Sequence, residues 1–267
     1  DSLFGDAGND LISGGPGNDT INGGDDYDTA IYYNDRTSPT PDGVNGIIVD
    51  MLDRDHGGGE NDGFQVDDDG RGGKDVLLNI ENVTGGIFDD TFYGDNIGTD
   101  FDGYAGTADL YTLELETAAL TITLSEDIGD SYQTLTWNGN ENDLKRIDII
   151  RLGAGNDTFT GASTDDVIDG FTGDDTFIYS GGNDTFTGGA GVNTLDYSAA
   201  TGVISFDYTN LSGAFVITQE DAVDKDLVED ISNLITGSGA DIVNVDFTAG
   251  TISSGSGDDT ITGGDNG

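Results

Sequence analysis

An apolar residue tends to follow an acid at a distance of two, and the acids recur every nine residues along much of the chain. Asp157, Asp166, Asp175 and Asp184 stand nine apart, and Asn193 falls on the next beat. Asp10, Asp19 and Asp28 keep the same interval, as do Asp100 and Asp109, while Asp241 and Asp259 are eighteen apart. Glycines gather just before most of these acids. The unit is complete in Gly14-Gly15-Pro16-Gly17-Asn18-Asp19-Thr20-Ile21-Asn22. One buried position per nine residues predicts strands of three, separated by turns of six, with two such units making a coil of eighteen. No segment carries a helical period. The pattern predicts an all-β fold, a right-handed parallel β-roll (β-solenoid), with three related β-rich flaps or longer coils interrupting it.

The interruptions alternate apolar and polar residues over longer runs, as half-buried strands do. They span residues 29–88, 110–156 and 194–240 at their widest. Each contains a β-rich run: Gly46 to Leu52, Leu120 to Leu124, or Val203 to Tyr208. Each closes on a similar stretch: Leu78 to Val83, Arg146 to Ile150, or Asp230 to Ile235. Asp109 to Asp157 and Asn193 to Asp241 are both 48 residues, whereas Asp28 to Asp90 is 62, with the extra length expected in the glycine- and acid-rich stretch Asp53 to Gly70. The expected organisation is roll at 1–30, insert at 31–88, roll at 89–111, insert at 112–152, roll at 153–195, insert at 196–236 and roll at 237–267.

The chemistry of the unit points to calcium. A carboxylate oxygen is a hard ligand suited to that ion, and glycine lets turn carbonyls approach it. Acids eighteen apart stack on successive coils, so Asp1 pairs with Asp19, Asp10 with Asp28, Asp157 with Asp175, Asp166 with Asp184, and Asp241 with Asp259. Each pair is expected to share an ion with turn carbonyls. Asp90 and Asp109 complete the acid set, and Gly14, Gly15, Gly17, Gly23, Gly173, Gly182, Gly188, Gly189, Gly255 and Gly257 complete the turns. Asn193 offers a neutral oxygen, so a weaker site is expected there. Asp100 fits less well, because Asp102 stands where an apolar residue belongs. Glu81 and Asp148 keep the beat but lack a glycine turn, and are read as strand residues.

Gly5 to Ile12, Gly14 to Asn22, Gly23 to Asp28, Gly173 to Phe177, Gly181 to Phe186 and Gly255 to Ile261 together resemble the RTX (repeats-in-toxin) family of secreted calcium-binding proteins. The resemblance implies a parallel β-roll, calcium-driven folding and export through a type I secretion channel.

Composition sharpens this picture. The 267 residues carry 53 acids against 8 bases, a net charge of −45, with 34% hydrophobic residues and 44 glycines. Without counter-ions such a chain repels itself and has little to bury, so folding conditional on calcium is expected. Cysteine is absent, which excludes disulfides and thiolate metal sites. The charge excludes nucleic acid as a partner, and no apolar run is long enough to span a bilayer.

Other residues carry weaker signals. Asp53, Asp55, Glu60 and Asp62, then Asp67, Asp68 and Asp69, then Asn138 to Asp143, read as solvated acidic loops, with further calcium loops as the alternative. Thr20, Thr29, Thr91, Thr158, Thr176, Thr185, Thr194 and Thr260 follow motif positions and suit outward strand sites; an ice- or sugar-binding ladder is the alternative. Tyr32, Tyr33, Tyr132, Tyr208 and Trp137 read as packing residues, with a sugar platform as the alternative. His56 is the single histidine and lies in a glycine-rich loop. No HExxH or GxSxG motif is present, so no enzyme activity is expected.

The expected function is a calcium-dependent structural module of a secreted extracellular filament, surface layer or giant adhesin. Gly263-Gly264-Asp265-Asn266-Gly267 joined to Asp1-Ser2-Leu3 would restore a nonapeptide on the nine-residue beat, so copies arranged end to end are the expected partner. The alternatives are the secretion and folding domain of an exported hydrolase, or an adhesin module that binds cell-surface glycans.

Overall fold

The computed structural model describes residues 1–32, 47–50, 64–68, 73–94, 98–114, 116–126, 133–137, 139–208, 215–219, 225–245 and 250–263. The described residues form strands, turns and bends with no helix, and the strands stack mostly in parallel, as in a β-roll. Contacts divide the chain into two units: residues 1–113 with 127–150, and residues 114–126 with 151–267.

In the regular coils the register is eighteen residues. Thr158 pairs with Thr176 and Thr176 with Thr194, in strands Thr158–Thr160, Thr176–Ile178 and Thr194–Asp196. Val167–Asp169 stacks on Thr185–Thr187, Ser2–Ala7 on Thr20–Asp25, and Leu11–Ile12 on Thr29–Ile31. Strands are this short because only the middle residue has an interior to face. Ile21, Ala30, Phe92, Phe101, Phe159, Phe177, Phe186 and Leu195 are all fully buried at that position. Their rings meet across the roll: Phe92 and Phe101 at 5.2 Å, and Phe177 and Phe186 at 5.3 Å between centroids. Each such isoleucine, leucine or phenylalanine side chain contributes about 1.5–3 kcal/mol by burial. The interior is thus made of one inward side chain from each short strand, meeting its counterpart from the opposite sheet.

The interruptions are antiparallel excursions within the parallel stack. In the first unit Asp75–Leu78 lies parallel on Thr20–Asp25, Phe64–Asp68 runs antiparallel beside it, and Ile48–Asp50 antiparallel beside that. Parallel stacking then resumes from Ile48–Asp50 to Thr91–Tyr93. The second unit repeats this with Lys225–Glu229, Phe215–Gln219 and Ile204–Tyr208 set between Thr185–Thr187 and Ile242–Val245. The middle interruption places Asn140–Lys145 on Asp100–Asp102 with Gln133–Trp137 antiparallel to it, in the first unit. Its earlier strand Thr121–Glu126 lies on Thr158–Thr160 in the second. In the first and third interruptions, the inserted segment reaches ahead, reverses, and closes against the coil it had left.

The closing stretches are not single strands. Each turns sharply at a non-glycine residue with positive φ: Asn79 at 49°, Arg146 at 53° and Asp230 at 55°. Such a conformation costs about 1–2 kcal/mol. Ile80 and Ile231, which follow two of these turns, are buried and hold them in place. Tyr32 and Trp137 lie in the interior, as packing residues do. Tyr33, Tyr132 and His56 lie outside the described residues, as do Asp53, Asp55, Glu60, Asp62 and Asp69.

Candidate metal centre

Each motif acid reaches back to the coil before it. The backbone N–H of Asp10 donates to Asp28 Oδ1 at 2.8 Å, Asp157 to Asp175 at 2.8 Å, Asp166 to Asp184 at 2.9 Å, and Asp241 to Asp259 at 2.9 Å. The nitrogen of Asp1 meets Asp19 Oδ1 at 2.5 Å. All five acid pairs expected from the sequence are therefore neighbours, and in four of them one carboxylate oxygen satisfies a main-chain N–H as a rung. Such charge-assisted bonds are stronger than neutral ones.

The ladder continues through the interruptions, where sequence spacing hides it. Asp19 N–H donates to Asp75 Oδ1 at 2.9 Å, Asp28 to Glu81 Oε2 at 2.8 Å, Asp109 to Asp148 Oδ2 at 2.9 Å, and Asp184 to Asp226 Oδ1 at 2.9 Å. Asp90 pairs with Asp109, nineteen residues on, at 2.8 Å. Glu81 and Asp148 are therefore rung acids rather than strand residues; the strands begin one residue later, at Asn82–Thr84 and Ile149–Arg151. Asp75 and Asp226 escaped the sequence reading because their separations from Asp19 and Asp184 are 56 and 42 residues. Both have a buried apolar residue two positions on, Leu77 or Val228, and Asp75 also follows Gly72-Gly73. Tyr32 donates to Asp75 Oδ2 at 3.2 Å, and Tyr197 donates to Asp226 Oδ2.

The residue before the motif acid makes a second ladder in the opposite sense. Asn156 Oδ1 accepts the N–H of Asp174 at 2.9 Å, and Asp174 Oδ1 that of Val192 at 2.8 Å. Asp165 Oδ1 accepts from Asn183, and Asn183 Oδ1 from Lys225. Asn18 and Asp89 do the same toward Lys74 and Ala108. Main-chain hydrogen bonds, from Thr107 and Asn183 respectively, hold the Asp89 and Asp165 carboxyls below the usual range. The signal for this ladder is the doublet Asn-Asp or Asp-Asp. It stops at Lys74, Ala108, Val192 and Lys225, whose side chains have no carbonyl oxygen.

The second carboxylate oxygen of the rung acids forms the candidate ion site. Oδ2 of Asp10, Asp19, Asp28, Asp175, Asp184 and Asp241 is buried without a hydrogen-bond partner. Burial pushes up the carboxyls of four rung acids, Asp90 and Asp175 to about 6, Asp109 to about 7 and Asp184 to about 8. What Oδ2 faces is a carbonyl and a glycine. A Cβ on Gly170 would lie 2.7 Å from both Asp175 Oδ2 and the Gly188 carbonyl oxygen. A Cβ on Gly23 would strike Asp28 Oδ2 and the Asn79 carbonyl, and one on Gly14 would lie 2.8 Å from Asp19 Oδ2. Gly14, Gly23 and Gly188 are thus needed to leave room for a cradle, not for their backbone angles. Gly15, Gly17, Gly173, Gly182, Gly189, Gly255 and Gly257 do take positive φ. A buried carboxylate oxygen with no hydrogen-bond partner, near a main-chain carbonyl oxygen, is a donor set that suits a hard cation. At Asp90, Asp157 and Asp166, Oδ2 instead accepts an N–H from four residues earlier in its own turn.

Among the described residues no three acid or histidine side chains gather as a conventional metal cluster. The main chain would have to supply the remaining ligands. Asp100 is not a rung acid: it opens the strand Asp100–Asp102 and its Oδ1 accepts the N–H of Asp143 at 3.0 Å. Nor is Asn138 to Asp143 a calcium loop. Asn138 lies outside the described residues, Asn140–Lys145 is a strand, and buried Asn142 is bonded to Trp137, Tyr111 and the Thr99 carbonyl. Basic residues take over locally: Arg151 bridges Glu114 at 3.2 Å and Asp169 at 2.8 Å, and Arg146 bonds Asp102 at 2.5 Å.

A search of curated proteins returned no match. The family model of the RTX calcium-binding nonapeptide repeat matches in four copies, at residues 1–30, 146–177, 169–201 and 247–266. Those stretches contain ten rung acids, from Asp1 to Asp28, from Asp148 to Asp184, and Asp259. Those stretches carry RTX nonapeptide repeats, repeats of that kind bind calcium, and the described strands stack as a β-roll.

Proposed function

We propose that this chain is a non-catalytic structural module of a secreted filament, surface layer or adhesin, folded and stiffened by calcium. The supporting observation is the set of six buried carboxylate oxygens without a partner, each on an acid already tied to the next coil. The proposed ligands are Oδ2 of the motif acids Asp1, Asp10, Asp19, Asp28, Asp90, Asp109, Asp157, Asp166, Asp175, Asp184, Asp241 and Asp259, with turn carbonyls such as those of Gly23 and Gly188. A bound ion there offsets the charge that the acids bring together. At one hundred times the dissociation constant each site contributes about 2.7 kcal/mol, so several sites rival the whole stability of an ordinary domain. Asp19, Asp28, Asp175, Asp184 and Asp241 accept a main-chain donor through Oδ1 and keep Oδ2 buried and unpartnered. Export by a type I route, a place outside the cell where calcium is plentiful, and copies meeting end to end belong to the same proposal.

Two measurements test it. Chelation should abolish the β circular dichroism signal, and calcium should restore it; a spectrum indifferent to chelator refutes the calcium reading. Electron microscopy of the native material in calcium should show a continuous fibre or lattice, and dispersed single particles would refute the assembly.

A further inference from the structure

We infer that the side-chain amide of Asn193 replaces a bound ion in its own rung, so that this joint of the roll closes without metal. The inference rests on the calcium reading above and names a place where it does not apply.

Among the described residues three rungs are equivalent, each being the last before the closing turn of an interruption. Their residues are Asp28, Asp109 and Asn193. In each, the main-chain oxygen accepts two N–H groups from beyond the insert. Asp28 takes Glu81 and Asn82 at 3.2 and 3.1 Å, Asp109 takes Asp148 and Ile149 at 2.9 and 3.0 Å, and Asn193 takes Ser232 and Asn233 at 2.9 and 2.8 Å. Each also has its glycine, Gly23, Gly103 or Gly188, whose added Cβ would collide with the carbonyl of a left-handed residue, Asn79, Arg146 or Asp230. The same Cβ would collide with Asp28 Oδ2, Asp109 Oδ2 or Asn193 Nδ2. The amide nitrogen therefore stands where the other two rungs place a carboxylate oxygen.

The partners of that atom differ accordingly. Asp28 Oδ2 is buried with none. Asn193 Nδ2 donates to the Asp230 carbonyl at 3.0 Å and lies 3.4 Å from that of Gly189. Its Oδ1 still accepts the N–H of Asp175 at 3.0 Å, so the rung itself is intact. An amide carries two donors and one carbonyl oxygen, which satisfies both sides of the joint at once. A carboxylate in this place would set oxygen against oxygen and need a cation between them.

The charge on the far side changes in step. Asp28 and Asp109 each donate to an acid, Glu81 or Asp148. The corresponding residue after Asn193 is Ser232, so both carboxylates of the equivalent pair are absent together. Calcium affinity follows the number of charged ligands, and this joint supplies none. Asn193 is therefore not a weak ion site, as its neutral oxygen suggested, but a hydrogen-bonded substitute for one.

Calcium stoichiometry of the full chain, counted by equilibrium dialysis and native mass spectrometry at saturating calcium, tests this directly. Asn193→Asp combined with Ser232→Asp should bind one more ion than the unaltered chain. Asp28→Asn should bind one fewer and remain folded. An unchanged count in either variant, with the unaltered chain binding calcium, overturns the inference. If the unaltered chain binds no calcium at all, the reading of the ladder itself fails, which is a different result.

Discussion

The backbone N–H of Asp157 donates to Oδ1 of Asp175, one coil further on, at 2.8 Å. The other oxygen of the same carboxylate is buried and unpartnered. One side chain thus holds the chain with one atom and offers the other to an ion, and substitution can separate the two. Asp175→Asn keeps the rung and loses the charge. Asp175→Ala also strands the Asp157 N–H, which costs about 1–3 kcal/mol more. In saturating calcium both variants should melt below the unaltered chain, with the alanine variant lower by that margin. Equal melting of the two would show that the rung contributes nothing.

Glycine substitutions should divide by what lies above the backbone. Gly173 has φ +134°, and its Cβ would collide with the carbonyl oxygen of Gly155 in the neighbouring coil. Gly17 has φ +112° with nothing within 4 Å. Gly17→Ala bears only the conformational strain, about 1–2 kcal/mol. Gly173→Ala adds a backbone clash that forces coils apart, about 1–3 kcal/mol more. Chemical denaturation in calcium measures both, and comparable losses would contradict the close approach of coils.

The regular coils were legible in sequence because one residue type marks each position: glycine for the turn, acid for the rung, apolar for the interior. The interruptions were not, because there the same positions are filled by other residues. Asn79, Arg146 and Asp230 hold left-handed turns usually given to glycine. Of the rung acids Asp75 and Asp226, the first follows Gly72-Gly73 but falls off the nine-residue beat, and the second has no glycine just before it. Their neighbours in space are 56 and 42 residues away, so no fixed period could reveal them. The Asn-Asp and Asp-Asp doublets stand in the sequence at Asn18, Asp89, Asn156, Asp165, Asp174 and Asn183. Their meaning appeared only when the preceding residue proved to accept a hydrogen bond from the next coil, opposite in sense to the motif acid.

That second ladder makes its own prediction. Asp174 Oδ1 accepts the N–H of Val192 at an exposed edge of the turns. Asp174→Asn retains an acceptor oxygen and should leave the melting temperature nearly unchanged. Asp174→Ala removes it and should cost about 0.5–1.5 kcal/mol, read by thermal melting in calcium. A loss in the asparagine variant equal to that in alanine would assign the effect to charge instead.

Acidity should act in opposite directions with and without the ion. Burial raises Asp90 and Asp175 to about 6, Asp109 to about 7 and Asp184 to about 8, all from an ordinary 3.8. A group with a raised pKa binds its proton more tightly in the folded chain than in the unfolded one. The stability it contributes is whole below about 4 and is lost as pH climbs through 6, 7 and 8 in turn. The metal-stripped chain should therefore gain β signal on acidification from pH 8 towards pH 5, protons taking over part of the neutralising role. In saturating calcium the order reverses, because the ion requires ionised carboxylates and competes with protons for Oδ2. Circular dichroism across that range, with and without calcium, reads both limbs. A metal-stripped chain that becomes more folded as pH rises would mean that the buried carboxylates do not set the stability of the roll.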